Sequence, residues 1–218
     1  MHEIPYIIVA CDPNGGGDSQ MALVSVAFLR GAMIIVGLES HAVRGHDQIK
    51  DLLMTHINAL HDVWRNAWLI FVAESNLGQE ADHMRSMLKH TGRTYVVCEN
   101  GLSGVRTTNA RKELYSMELC KFMAQDGFGL HDSVVTVNPF AGEHKGRDVI
   151  DLLRRQLMGY RKIVLKSTTG RSEPRVCYTG KAQGAQDDLV VTATIAAYWG
   201  VQFLTQRIPG VPYDRLRE

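Results

Sequence analysis

The chain has 218 residues, 45% of them hydrophobic and 22% charged, with 24 Lys and Arg against 23 Asp and Glu. That is enough chain to bury a full core as one large domain, without disulfides or a structural metal to hold it together. No apolar run approaches the roughly 20 residues of a membrane-spanning helix, and Met1-His2-Glu3-Ile4-Pro5 lacks the basic and apolar segments of a secretory signal, so neither membrane insertion nor secretion is expected.

The abrupt entry into a first strand suggests a domain cut from a longer chain, or one built at a boundary. Cys11, Cys98, Cys120 and Cys177 form no Cys-x-x-Cys pair, which predicts reduced, buried thiols, an intracellular setting and no structural zinc. The formal net charge of +1 conceals an asymmetry: between residues 143 and 181 ten basic side chains stand against four acidic ones. A basic face of that kind suits a polyanion, although solvated helix and hairpin faces share the pattern.

Tyr6-Ile7-Ile8-Val9-Ala10-Cys11 is rich in β-branched residues and is closed by Asp12-Pro13-Asn14-Gly15-Gly16-Gly17-Asp18. It predicts a buried strand that stops at a tight turn. Asp12 stands where the strand ends, so a sheet can hold its carboxylate rigidly toward an open crevice, as a metal ligand or general base requires. An Asp-Pro turn that bonds its own backbone uses the same residues. Strands over 21–29 and 32–38, joined by Arg30-Gly31, complete a three-stranded antiparallel meander. A helix over 47–64 follows, with Ile49, Leu52, Leu53, His56, Ile57, Leu60 and Val63 on one stripe and Asp47 as its cap.

Trp68-Leu69-Ile70-Phe71-Val72-Ala73 repeats the pattern of the first strand and ends in Glu74-Ser75-Asn76. A helical crossover allows the two strands to run parallel and adjacent, placing Asp12 and Glu74 on one sheet edge. There, repulsion raises at least one carboxylate pKa unless a cation neutralises the pair. Glu74 also suits the start of a helix near Gly78.

Beyond it the pattern predicts a helix over 79–89, a strand over 94–98 and a loop over 99–105 that suits a mobile or substrate-contacting element and equally a plain surface loop. A helix then runs from Thr108 or Asn109 to about residue 125, with Leu114, Met117, Leu119, Phe122 and Met123 as its apolar positions and its methionines as core filler. A short strand over 134–137 and a helix over 147–158 follow. Strands over 162–166 and 175–179 flank a β-hairpin whose basic tip, Gly170-Arg171, is sized for a DNA groove or charged to protect an edge. Gly180 through Asp188 opens a last helix over 189–199, where paired Asp residues also serve as ordinary caps.

The order βββ, α, β, α, β, α, with acids after the first strand, after the fourth and at a late helix start, resembles the ribonuclease H-like nuclease fold. At closer range it resembles the C-terminal nuclease domain of viral terminase large subunits, the DNA-packaging motors of herpesviruses and tailed phages. The resemblance rests on Val9-Ala10-Cys11-Asp12-Pro13-Asn14, on Phe71-Val72-Ala73-Glu74-Ser75-Asn76, and on Lys181 through Gln186-Asp187-Asp188-Leu189-Val190-Val191. It spans nearly the whole chain, and the Gly-Lys stretch and the hairpin look herpesvirus-like.

The resemblance implies an α/β fold over residues 1–218 as a single domain: a ribonuclease H-like mixed central sheet, antiparallel meander plus parallel strands, flanked by helices, with an extra basic β-hairpin. It implies that Asp12, Glu74, Asp187 and Asp188 hold two Mg²⁺ or Mn²⁺ ions, with Asp187 the main ligand of its pair, and that Lys181 orients water or touches the phosphate. Lys145, Arg147, Lys166, Arg171, Arg175 and Lys181 would bind DNA phosphates. The implied activity is metal-dependent, two-ion endonucleolytic cleavage of concatemeric double-stranded viral DNA during genome packaging. The implied partners are double-stranded DNA, the terminase ATPase domain, other terminase subunits and the capsid portal, in the host nucleus if the virus is a herpesvirus.

No Gly-x-x-x-x-Gly-Lys-Ser/Thr loop is present, so the ATPase motor is not in this sequence. Residues 100–137 carry no matching motif. Other readings are a ribonuclease H-like resolvase or recombinase, a non-catalytic DNA-binding assembly domain, and an actin-like phosphate-binding ATPase module, the last lacking its second strand-turn repeat.

Overall fold

A computed structural model describes residues 4–13, 20–43, 45–75, 79–137, 146–165, 175–180, 186–208, 211 and 213–214, with the side chains of 146, 147, 165 and 175 excepted. The strands are β1 (Tyr6–Asp12), β2 (Met21–Leu29), β3 (Ala32–His41), β4 (Trp68–Ala73), β5 (Thr94–Val96), β6 (Cys98–Glu99), β7 (Leu102–Ser103), β8 (Phe128–Val135), β9 (Arg161–Leu165) and β10 (Arg175–Thr179). The helices are α1 (His46–Val63), α2 (Gln79–Leu88), α3 (Asn109–Ala124), α4 (Gly146–Gly159) and α5 (Asp188–Leu204).

Six strands form one mixed sheet in the order β5-β4-β1-β2-β3-β8. β1, β2 and β3 pair antiparallel, β4 lies parallel to β1, and β5 and β8 extend the two edges in parallel. This is the α/β architecture expected from the sequence. β1 reads as an unbroken apolar run because both of its faces are covered: Ile7 through Cys11 are each no more than 1% exposed.

One face of the sheet packs on α3, α4 and α5, the other on α1 and α2. α5 is apolar nearly all round, as a helix sunk in the core must be; Leu189, Val190, Ala193, Ile195, Ala196 and Ala197 are fully enclosed. Each large aliphatic side chain buried there contributes about 1.5–3 kcal/mol by removal from water. No helix among the described residues is long and apolar enough to cross a membrane.

Several local expectations change. The strand expected at 134–137 begins earlier, at Phe128, and pairs parallel with β3 through Met33↔Phe128. It is a half-exposed edge strand, so its polar residues hid the pattern. β3 runs on to His41, past the expected end at 38, because Glu39, Ser40 and His41 are buried by polar partners. The strand over 94–98 breaks into β5 and β6, and α5 continues to Leu204. Gly45, not Asp47, occupies the cap position of α1, without a side-chain bond; Thr108 does cap α3, accepting from the Arg111 amide at 3.3 Å.

The inner face of α3 is Tyr115, Ser116 and Leu119, whereas Leu114, Met117 and Met123 are 43–51% exposed and are not core filler. The cysteines differ as well. All four are free thiols, but only Cys11 is buried; Cys98 and Cys177 lie on small two-stranded sheets open on one side, and Cys120 is exposed on α3.

Candidate active site

Asp12 is the last residue of β1, and Glu74 directly follows β4. The two strands are parallel and in register to Cys11↔Ala73, and the Glu74 amide donates to the Cys11 carbonyl at 2.8 Å. The two acids therefore leave the sheet side by side, at a strand spacing of about 4.8 Å. Strand alternation turns both toward the face of Ala10 and Val72, which is the α5 face. Burial first, and then the charges of Asp12 and Glu74, push the Cys11 thiol well above its ordinary pKa.

Glu74 is gripped from its other side too. It forms an isolated parallel bridge with Val105; the Val105 amide donates to Ala73 O at 2.8 Å, and the Ser75 amide to Val105 O at 2.9 Å. That close approach depends on Gly104, which has φ +77° and whose absent Cβ would stand 2.5 Å from Ala73 O. The loop over 99–105 thus acts as an extra sheet margin beside Glu74. Its base is held by Arg111, which donates to the Glu99 carboxylate (Nη2 to Oε1, 2.8 Å) and to Arg106 O at 2.9 Å.

The Asp187–Asp188 pair arrives at the start of α5, and the two residues are separated in role. Asp188 Oδ2 accepts the Gln20 amide at 3.1 Å. Gln20 immediately precedes β2, whose Ala22 pairs with Asp12, and its side chain accepts from Ser40 Oγ at 2.5 Å. Asp187 Oδ2 instead accepts Thr179 Oγ1 at 3.0 Å and the Gly180 amide at 2.9 Å. A Cβ on Gly180 would lie 3.0 Å from Asp187 Cβ, a close approach that a larger residue would have to push open by a few tenths of an ångström. Tyr160 packs here as well, its hydroxyl pushed up to about 12 chiefly by burial, with the Asp187 charge adding to the shift. The first turn of α5 is completed by Gln156, whose side chain accepts the Val190 amide at 3.1 Å.

Glu74, Asp187 and Asp188 are only 4–9% exposed and Asp12 is half-buried. All four bring oxygen donors to one end of the molecule, the set that hard divalent cations take. Among the described residues, no group of three or more His, Cys, Asp and Glu side chains is arranged to hold a metal ion.

Of the predicted basic residues, Lys145, Lys166, Arg171 and Lys181 lie outside the described residues, and Arg147 and Arg175 are placed only through their backbone in α4 and β10. The β9–β10 hairpin itself is present, though its expected tip at Gly170-Arg171 also falls outside the described residues. Its strands are fastened to α3: Lys162 Nζ and Tyr178 Oη both donate to Glu113 Oε1 at 3.1 Å. These two bonds and the Lys162 charge hold the Glu113 carboxyl below its usual range.

A second polar cluster, not anticipated from sequence, lies between β2, β3 and α1. Glu39 Oε1 accepts His56 Nδ1 at 3.0 Å and the Val137 amide at 2.6 Å, Oε2 contacts His41 Nε2 at 3.1 Å, and Ser25 Oγ meets His56 Nε2 at 2.8 Å. Ser25, Glu39, His41 and His56 are all buried. A histidine in the apolar stripe of α1 was the visible signal. Separately, an open cleft of about 630 Å³ lies between the β6–β7 hairpin, α3 and α5, with Glu99, Arg111, Tyr115, Tyr198, Trp199 and Arg207 in its walls and none of the four site carboxylates.

No protein-family model and no curated protein sequence matches the chain. Solved structures that share its fold include terminase nuclease domains. The human cytomegalovirus terminase nuclease domain, soaked with manganese and bound to an inhibitor, superposes with a TM-score of 0.64 at 14% identity, over 93% of this chain and 85% of that one. Without those additions the same viral domain gives 0.63 at 16% identity, over 93% and 86%. The nuclease domain of the large terminase subunit of the bacterial virus Sf6 gives 0.51 at 11% identity, over 88% and 87%.

Proposed function

We propose that this chain is the nuclease domain of a viral terminase large subunit, a metal-dependent endonuclease that cuts concatemeric double-stranded DNA during genome packaging. The observation that carries the reading is the pair of adjacent parallel strands delivering Asp12 and Glu74 to one sheet edge, where Gln20 just before β2 donates its amide to Asp188 at the start of α5. The shared fold with terminase nuclease domains supports it.

Asp12, Glu74 and a carboxylate of the Asp187–Asp188 pair would hold two divalent ions, Mg²⁺ or Mn²⁺. Bound there, the ions supply Lewis acidity, activating water and offsetting charge on the scissile phosphate. The chain's own part is to hold its carboxylates on rigid strand and helix ends, so that little reorganisation is needed when the phosphate arrives. Lys181, two residues after the end of β10 in the sequence, would orient the water or touch the phosphate. Lys145, Arg147, Lys166, Arg171 and Arg175 would neutralise backbone phosphates, giving affinity that falls with salt and little sequence preference.

The ATPase domain, other terminase subunits and the portal would supply timing, in the host nucleus for a herpesvirus. The test is nicking and linearisation of supercoiled plasmid in Mn²⁺, Mg²⁺ or EDTA, beside Asp12→Ala and Glu74→Ala. Metal-dependent cutting that disappears in both variants is expected. Plasmid left intact in every metal by the wild-type chain, yet shifted on a gel, would overturn the enzyme and leave a DNA-binding module.

A further inference from the structure

Adjacent residues at the start of a helix project about 100° apart, and here the two acids are held by different parts of the molecule. Asp188 is tied to Gln20, at the mouth of the β1–β2 connection and so beside Asp12. Asp187 is tied to Thr179 and Gly180, at the end of β10. One oxygen of Asp187 already accepts two hydrogen bonds of ordinary length, with Gly180 packed closely against its Cβ. The same β10 is fastened at Tyr178 to Glu113 on α3, with Lys162 of β9 on the same carboxylate oxygen. The hairpin thus has two anchorages, one to a surface helix and one to the first turn of the helix that presents Asp188.

We infer that Asp187 is a positioning residue: its carboxylate clips the end of the β9–β10 hairpin to the start of α5, setting where Asp188 stands relative to Asp12 and Glu74. This rests on the nuclease reading above and deepens it. Arg161 and Lys162 of β9 are exposed, so DNA seated on the hairpin bears on Thr179 and Gly180, and through Asp187 on the carboxylate that faces the metal site. Substrate engagement and site geometry are joined through one side chain.

The experiment compares Asp187→Asn, Asp187→Ala, Thr179→Val and Asp188→Asn by Mn²⁺ binding without DNA, by kcat and KM for plasmid nicking, and by hydrogen exchange at the Gly180 amide. Asparagine keeps an oxygen acceptor for Thr179 and Gly180, so Asp187→Asn should hold Mn²⁺ affinity within about threefold of wild type. Asp188→Asn should lose about 100-fold, and Asp187→Ala about 10-fold in kcat, the usual scale for a lost supporting partner, with a raised KM. Thr179→Val, which removes only one of the two bonds, should fall between Asn and Ala. Gly180 exchange should quicken in Asp187→Ala and not in Asp187→Asn.

If Asp187→Asn loses Mn²⁺ as completely as Asp188→Asn, Asp187 is a ligand and the proposal is overturned. It is equally overturned if Asp187→Ala matches wild type in all three readouts. A wild-type chain that binds no Mn²⁺ and cuts nothing removes the nuclease reading and the ligand role of Asp188 together; that failure is told apart from a failed clip by Gly180 exchange, which needs no metal.

Discussion

Glu39 and Asp188 are both almost sequestered from solvent, at 1% and 4% exposure, yet their surroundings answer their charge in different ways. Glu39 sits between His41 and His56, with Ser25 behind the second imidazole and the Val137 amide on one oxygen. Asp188 accepts a backbone amide from Gln20, and its neighbour Asp187 accepts an amide and a hydroxyl. An imidazole can take up a proton and carry a counter-charge, whereas an amide or hydroxyl orients a carboxylate without cancelling its charge. The Glu39 cluster cross-links β3 to α1. Asp12 and Glu74 leave neighbouring parallel strands side by side, and carboxylates brought close together repel unless a cation joins them. Burial alone therefore does not distinguish the two acids; their partners do.

The widest separation between the two clusters should come from Glu74→Gln or Asp12→Asn. Either should lower metal-dependent cleavage about 10³-fold or more, some 4 kcal/mol of transition-state stabilisation, while thermal stability without metal is kept or raised because a like charge has gone. Glu39→Ala should do the reverse. Two buried imidazoles and an amide lose their acceptor, and urea unfolding should register about 3 kcal/mol of destabilisation, with the folded fraction retaining its cutting rate per molecule.

Between these lies Gly104→Ala, which strains a backbone at positive φ and drives a methyl toward Ala73 O. About 1–3 kcal/mol of stability should be lost, together with some cleavage, since the strand margin gripping Glu74 is displaced. The smallest effect concerns the hairpin anchor. Glu113 is held below its usual range by Lys162 and Tyr178, so its contribution is fully present above the ordinary carboxylate pKa and is lost as pH falls through the depressed folded value. Protection of the β9–β10 amides from hydrogen exchange should therefore weaken at acid pH in the wild type, and Glu113→Gln should show the weaker protection at neutral pH without that pH dependence.

Much of the site's framework was legible in the residues. Two apolar runs that each stop at an acid, with a two-strand meander and an amphipathic helix between them, allow β1 and β4 to be parallel neighbours with Asp12 and Glu74 on one edge, because a helical crossover permits parallel pairing, and the structure pairs them so. Elements half open to solvent were harder. β8 carries Gly, His, Asp and Ser in a single exposed strand, and the inner face of α3 is Tyr115, Ser116 and Leu119 rather than its leucine and methionine positions; neither shows the alternation or stripe that marks a buried surface.

By itself the sequence determined what local pattern can determine: the order of elements, the strands buried on both faces, the all-apolar α5 and the acids placed at element ends. Tertiary structure alone decided which polar groups meet. Gln20 reaches Asp188 from 168 residues away, Val137 reaches Glu39 across 98, and Thr179 claims Asp187 only because the hairpin folds back onto α3 and α5. Two adjacent aspartates are equivalent in the sequence; they become different when hydrogen-bond donors from distant segments arrive at each, since donor geometry is fixed by packing and not by neighbours in the chain.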